Sequence, residues 1–378
     1  MKFINFQILT TTDIVLFASM VVVFIIQLYF LLKYYLKLAL NKDVPGNLGS
    51  EATTVILPVR NEEERIREIL DRFNDQQEKN YQVLVISVNS EDNTMEILNV
   101  LAATNPHLKF TSLNQDTRFT EKQVINIGLK GASSPRVILL TPLSGKIDPE
   151  WLSKLNNLFD AETDVVVAYS NVERKKGYRN LICRLERFNQ FMISGSRTLA
   201  GKPIVFGETN ILFKKSLYFD TQGFRQKLNL NFANLELIFN ENLKRRRVKV
   251  STDPATVIRE TVEDDRGDHI RLLKKSVQIR QSLSFFKKAG LFVDDLTRIL
   301  VPASAVALVI IHPEYWISML ILPLIFLVLL LFIVKMIMNR VKERKIFLSS
   351  LAYIFIKPII NWWFFWSMYL MHRRNRWN

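Results

Sequence analysis

The sequence predicts an α/β domain, a doubly wound and mostly parallel sheet, carried between transmembrane α-helices. Three observations predict it. Short β-branched apolar runs alternate with helix-patterned segments through the middle of the chain. The apolar excess lies at the two ends. Polar turn residues follow the runs, where open α/β sheets place their ligands. With 378 residues, the chain is long enough for one large domain besides membrane segments.

Ile14–Leu32 is an almost unbroken apolar run of roughly the ~20 residues that cross a bilayer. Lys33 and Lys37 follow it, with Tyr34 and Tyr35 between them, and this aromatic-basic border marks a cytoplasmic interface. A cleaved signal peptide fits less well, because only Lys2 precedes the run and the charged end comes after it. Thr53–Val59 (TTVILPV) suits a buried parallel strand, and Arg60 to Glu64 then opens a helix through Leu70 with carboxylates in its first turn. Tyr81–Val88 is a second strand, Thr94–Ala103 a helix, Leu108–Leu113 a third strand, Lys122–Ala132 a helix and Arg136–Thr141 a fourth strand. Asp148-Pro149-Glu150-Trp151 starts another helix, and Asp164–Tyr169 is again strand-like. The carboxyl ends of these strands, at Val59 to Glu62, Val88 to Asp92 and Thr141 to Lys146, are where chemistry is expected.

Leu272–Lys288 reads as a basic amphipathic helix at a membrane surface. Ile299–Ile311 and Tyr315–Val334 then read as a hairpin crossing twice, with Lys335, Arg340, Lys342, Arg344 and Lys345 on the cytoplasmic side. Ile346–Met371, interrupted by Lys357 and Pro358 and crowded with Trp362, Trp363 and Trp366, is either a further span or a re-entrant helix. The expected organisation is a membrane helix in 1–40, a cytoplasmic domain in 41–295 and membrane helices in 296–378, giving a multi-pass protein of the inner or plasma membrane.

Composition narrows the function. One cysteine, Cys183, excludes an internal disulfide and reads as a core side chain. The net charge of +15 fits an anionic membrane surface, since much of the basic charge borders apolar segments. Lys244-Arg245-Arg246-Arg247 and Lys249 could meet lipid headgroups. Nucleic acid is not expected as a partner, because no aromatic residues interleave the basic run. Glu263-Asp264-Asp265 with Asp268 and His269 reads as a polar acidic loop rather than a metal cluster.

The order of segments resembles the membrane-bound family 2 glycosyltransferases of GT-A fold. TTVILPVRNEEERI resembles their opening strand, EKQVINIGLKGASSPRVILLT the lysine-bearing helix before the metal-binding strand, DPEWLSKL the helix that follows, and GETNILFKKSLYFDTQGF the later strand with its Gly-Phe. HRRNRW resembles the basic-aromatic tail of such enzymes. The resemblance implies a nucleotide pocket at Pro58, Arg60, Asn61, Glu62, Ser87, Lys122, Gln278 and Arg280.

The acidic residues that the family uses are missing. Ser87 and Val88 stand where an Asp would bind the nucleotide base, leaving Asp92 and Thr94 in the turn. Pro142 and Ser144 replace the Asp-x-Asp that holds a divalent metal. Ala233 and Asn234 replace the acidic pair that supplies the general base, with Glu236 two residues on as either a displaced base or a solvated helix carboxylate. Gln278 and Arg280 keep part of a Gln-x-x-Arg-Trp motif in compressed spacing, and Gln281 replaces its Trp. The family would use Mg or Mn; here no cofactor and no metal ligand set is expected.

The leading expectation is a catalytically degenerate binding or scaffolding subunit, with the lipid bilayer and other membrane-protein subunits as partners. The alternative is an active metal-independent transferase that moves a sugar from a nucleotide-sugar to a lipid or polysaccharide acceptor. In it Lys146, Lys122 or Arg136 would replace the metal's charge and Glu236 would serve as base.

Overall fold

Helix α1 (Thr11–Phe30) starts under a capping box in which Thr10 and Asp13 exchange hydrogen bonds, then runs through one π-helical stretch, Leu31–Tyr35, into α2 (Leu36–Ala39). In this computed structural model, which describes residues 10–243, 247–261 and 267–374, the chain forms two compact units. One comprises Asn41–Ser282 with Arg340–Lys342, and the other holds the apolar helices from both ends of the chain. Lys2, Lys244 to Arg246, Glu263-Asp264-Asp265 and the end of the basic tail lie outside the described residues.

The first unit is built on β1 (Thr53–Val59), α3 (Ile66–Asp71), β2 (Tyr81–Val88), α4 (Thr94–Thr104), β3 (Leu108–Leu113), α5 (Thr120–Gly131), β4 (Arg136–Leu139) and α6 (Trp151–Asn156). There follow β5 (Val165–Val167), β6 (Ser170–Val172), α7 (Tyr178–Leu199), β7 (Ile211–Lys214), α8 (Ser216–Asp220), α9 (Leu235–Asn242), β8 (Val248–Val250), β9 (Ile258–Glu260) and α10 (Asp268–Ser282). Seven strands form one sheet in the order β3-β2-β1-β4-β7-β5-β8. β1 pairs in parallel with β2 on one side and β4 on the other, with Thr53 opposite Tyr81 and Arg136. The order therefore switches direction at β1, and a crevice opens beyond the carboxyl ends of β1 and β4. The sheet is mixed, because β7 runs antiparallel to both β4 and β5. β6 and β9 form a separate parallel pair.

Alternation along the strands supplies both apolar layers. Val55, Leu57 and Val59 pack with Trp151 and Phe159 on one face, and Ile56 packs with Leu129, Phe213 and Phe239 on the other. At Gly128 an added Cβ would lie 2.5 Å from Ile56 Cγ2, so the close approach of α5 to the sheet requires glycine there. Asn210 ties the layers together. It is fully buried with φ of 56°, accepts from Trp151 Nε1 at 3.0 Å, and donates to the carbonyls of Tyr169 and Thr256 at 2.8 and 2.9 Å.

Two local expectations need correction. The helix after β1 begins at Ile66 rather than at Arg60, because residues 61–63 make hydrogen bonds to the β2–α4 loop instead. The amphipathic helix expected over Leu272–Lys288 is two helices, broken between Ser282 and Phe285. Along α7, Arg184 and Arg197 are buried together with Phe188 and Phe191.

The second unit contains α11 (Phe285–Ile311), α12 (Trp316–Arg340) and α13 (Phe347–Arg374). α11 lies antiparallel to α1. Tyr35 donates to Asp294 at 2.8 Å and accepts from Arg298 at 2.9 Å, Thr297 donates to Gln27 at 2.7 Å, and His312 Nε2 lies 2.9 Å from Asp13. Met20, Ala305 and Leu308 pack between these polar contacts. Thr11–Ala39, Pro313–Arg340 and Phe347–Leu370 are each long and apolar enough to cross a membrane. α13 stays helical through Pro358.

The Asn210→Ala variant should be destabilised by at least about 3 kcal/mol, because it leaves a buried indole N–H and two buried carbonyls without partners. Denaturant unfolding of the detergent-purified protein measures this, and a change under about 1 kcal/mol would show that the junction is not structural.

Candidate functional site

The loops after β1 and β2 are joined by side chains that bond to the opposite backbone. Asn61 takes a left-handed φ of 51°. Its N–H donates to Ser90 Oγ at 3.2 Å, and its Oδ1 accepts from the N–H of Glu91 at 2.9 Å. The N–H of Glu62 donates to Thr94 Oγ1 at 2.9 Å, and the N–H of Glu63 to Asp92 at 3.0 Å. Glu63 accepts in return from the backbone and side chain of Asn93. Ser87 is buried and donates to Ser90 at 2.8 Å. Arg60 points away, half exposed, 3.3 Å from Asp116, and Pro58 is half-buried within β1.

Beyond β4, the stretch holding Pro142 and Ser144 pairs with β9. The Pro142 carbonyl accepts from the N–H of Thr261 at 2.8 Å, and the N–H of Ser144 donates to the Arg259 carbonyl at 3.1 Å. This pairing brings Glu260, 1 % exposed, under the crevice. Its Oε1 accepts from Arg187 at 2.8 Å and Thr209 at 2.7 Å, and its Oε2 from Thr141 at 2.5 Å. Burial opposes ionisation of Glu260, but the Arg187 guanidinium and these hydroxyls outweigh it and hold the carboxyl below its usual range.

The divalent metal of such sites does not fit these residues. Pro142 and Ser144 offer no anionic oxygen, and both oxygens of Glu260 are occupied by donors from this chain. Among the described residues no three His, Cys, Asp or Glu side chains converge to hold a metal.

On the far side, Gln278 Oε1 accepts from the N–H groups of Phe232 and Ala233, both at 2.9 Å, and fixes the turn into α9. Asn234 donates through Nδ2 to Glu121 at 3.0 Å. Glu236 is fully buried and is not a solvated helix carboxylate. It accepts from the N–H of Asn234 at 3.0 Å and lies 2.6 Å from Lys275 Nζ, which also donates to Glu208 at 2.7 Å. Burial and the neighbouring Glu208 push the Glu236 carboxyl up to about 7, with Lys275 opposing. Lys122 donates to the Leu230 carbonyl at 2.5 Å, and burial lowers its pKa. The guanidinium of Arg280 lies 5.9 Å from the Phe206 ring.

These walls enclose a cleft of about 340 Å³. Its charged lining is Glu62, Glu121, Glu208, Glu260 and Asp268 against Arg187, Arg271 and Lys275, with Thr141, Pro142, Phe232 and Cys183 between them. Arg187 pairs with Glu260, Arg271 with Glu121, and Lys275 with Glu208 and Glu236. Burial pushes the Cys183 thiol up to about 11, so it is no nucleophile at neutral pH.

Of the residues singled out in the sequence, Glu62 and Pro142 line the cleft; Ser87, Lys122, Gln278 and Asn234 hold its walls by the bonds above. Arg136 cannot serve the crevice, since it begins β4 at the opposite end of the sheet, buried against Asn156 and Glu51. Glu208, Glu260, Arg271 and Lys275 were not anticipated. Glu208 sits in GETN and Lys275 in a basic helix, and neither pattern signals a pair across 67 residues.

Residues 54–219 match the family described as glycosyl transferase family 2. Among solved structures, the mannosyltransferase PcManGT of Pyrobaculum calidifontis, in complex with GDP-Man and Mn2+, is 20% identical; the match covers 93% of this chain and 98% of that one with a TM-score of 0.55. The TarS fragment 1–349 of S. aureus is 15% identical over 82% of this chain and 88% of its own, with a TM-score of 0.42. Glucosyl-3-phosphoglycerate synthase from Mycobacterium tuberculosis, in complex with UDP, is 13% identical over 61% and 80%, also with a TM-score of 0.42. No curated protein matches the chain. The fold of the sheet unit is GT-A.

The raised carboxyl of Glu236 has a consequence for stability. Between the ordinary value of 4.5 and about 7 the folded chain holds a proton that the unfolded chain releases. Stability should therefore fall as pH rises through that window, and Glu236→Gln should remove this part of the slope. Unfolding temperatures recorded across the window test it; parallel curves for the two proteins would contradict the assignment.

Proposed function

We propose that this chain, whose residues 54–219 form a family 2 glycosyltransferase domain of GT-A fold, is a catalytically degenerate member that serves as a binding or scaffolding subunit in a membrane. One observation carries the reading: all three cations lining the cleft are paired with carboxylates of the same chain, and the lining carboxylates outnumber them five to three. A sugar-nucleotide diphosphate needs a metal ion or uncommitted cations to offset its charge. Pro142 and Ser144 supply neither, and Arg187 and Lys275 would have to abandon buried carboxylate partners first, and Arg271 a half-exposed one.

The acid–base chemistry is lacking for a related reason. Asn234 cannot take a proton from an acceptor hydroxyl, and Glu236 is enclosed with Lys275. At Ser87, where the resemblance implies a base subsite, the hydroxyl is committed to Ser90 of the chain's own turn. What remains is a well-packed GT-A unit and apolar helices suited to a bilayer. The basic residues after α1 and α12 favour placing the GT-A unit on the cytoplasmic face of the inner or plasma membrane, where it would present a surface to other subunits. No divalent metal is required for that role.

The purified full chain should release no nucleotide from UDP- or GDP-linked sugars, with or without Mn2+. Turnover by the unmodified protein contradicts the proposal. Pro142→Asp, Ser144→Asp and Asn234→Asp should each fail alone, because the losses lie at separate steps.

A further inference from the structure

Along α13 the outward surface changes character in one step. Leu348, Ile356 and Ile359 are exposed in its first half, and Trp362, Trp363, Trp366 and Tyr369 are 51–74 % exposed in its second. Lys357 and Asn361, which interrupt the apolar sequence, are turned inward, 1 % and 7 % exposed. The surface left for lipid is therefore apolar first and aromatic afterwards.

α12 places a further tryptophan at the same level. The Phe326 and Phe355 rings lie 6.1 Å apart and Lys335 Nζ lies 5.4 Å from the Phe347 ring, so the two helices run antiparallel. Trp316, half exposed, precedes Phe326 by as many residues as Phe365 follows Phe355, which brings it level with the α13 aromatics. Asp13, 2.9 Å from His312 at the turn before α12, marks that level on α1. The opposite level carries Lys335 beside Phe347, and Lys33 over the ring of Tyr29. At ~1.5 Å of rise per residue, Asp13 to Lys33, Trp316 to Lys335 and Phe347 to Trp366 each extend about 29–30 Å. A bilayer's hydrocarbon core is ~30 Å thick. Between these limits Lys357 is the one charged residue in the three helices.

We propose that Trp316, Trp362, Trp363, Trp366 and Tyr369 form a girdle that docks in the lipid headgroup layer of one leaflet, and that α13 is a complete crossing rather than a re-entrant helix. Indole and phenol rings suit that layer, because their apolar bodies reach the acyl chains while N–H and O–H meet headgroup oxygens and water. Arg373 and Arg374, at the end of α13, then emerge on the side opposite to Lys33 and Lys335. Lys335, Arg340, Lys342, Arg344 and Lys345 outnumber them at the other end of the helix, so the charge bias across the membrane is kept.

Tryptophan fluorescence of the full chain, reconstituted in phosphatidylcholine vesicles, tests the girdle. Lipids brominated close to the headgroup should quench more strongly than lipids brominated close to the chain ends. Trp362→Phe, Trp363→Phe and Trp366→Phe together should diminish that difference. Stronger quenching by the deep bromines would put these rings in the core, and no quenching by either would put them against protein; both results overturn the proposal. Sidedness is read separately in intact cells with a membrane-impermeant maleimide, on Lys37→Cys and on Arg374→Cys, each combined with Cys183→Ser. Scored against permeabilised cells, one of the two positions should be labelled and the other should lose its labelling. Equal labelling or equal protection of both overturns the crossing.

Discussion

A buried carboxylate needs a counter-charge, and the arrangement of this domain follows from how Glu260 and Glu236 meet that need. Glu260 sits at the end of a three-residue strand and gathers Thr141 from the end of β4, Arg187 from the middle of α7 and Thr209 from the approach to β7. Removing one partner from such a buried pair costs about 3–5 kcal/mol, because an unpaired charge is left behind. These bonds therefore fix the floor of the crevice, and they do so with the groups that would otherwise face a ligand. Glu236 repeats the arrangement on the other wall through Lys275. Both walls are closed by charges that answer each other.

The sheet was legible in the sequence because buried parallel strands are written as unbroken β-branched runs. Thr53–Val59, Tyr81–Val88 and Leu108–Leu113 occur as read. β7 was read only as part of a motif, and its antiparallel direction is a matter of topology that no local pattern encodes. The start of α3 was misplaced because helix-start chemistry and loop-to-loop bonding use the same residues. Asn61, Glu62 and Glu63 bond to a turn about 30 positions away. Which residues stand at the positions that the resemblance makes acidic was legible position by position. The contacts around them were not, since Glu260 meets Arg187 across 73 residues.

In the other unit, α1 and α11 show how apolar helices gain a fixed register. Apolar packing alone leaves two such helices free to slide, since lipid is as apolar as their side chains. Hydrogen bonds at Tyr35, Gln27 and Asp13 set one antiparallel alignment along α11. The π-helical stretch at Leu31–Tyr35 includes the tyrosine that faces Asp294 and Arg298.

The central claim is that the cleft has exchanged a site for metal and diphosphate for one neutralised by its own side chains. Calorimetric titration of the full chain with UDP and GDP, each with and without Mn2+, tests it most directly. The account predicts no binding heat in any of the four conditions. Binding that depends on Mn2+ would mean that carboxylates of this chain do assemble a metal site, and binding without Mn2+ would mean that Lys275, Arg187 or Arg271 leaves its partner to hold a diphosphate; either result contradicts the account.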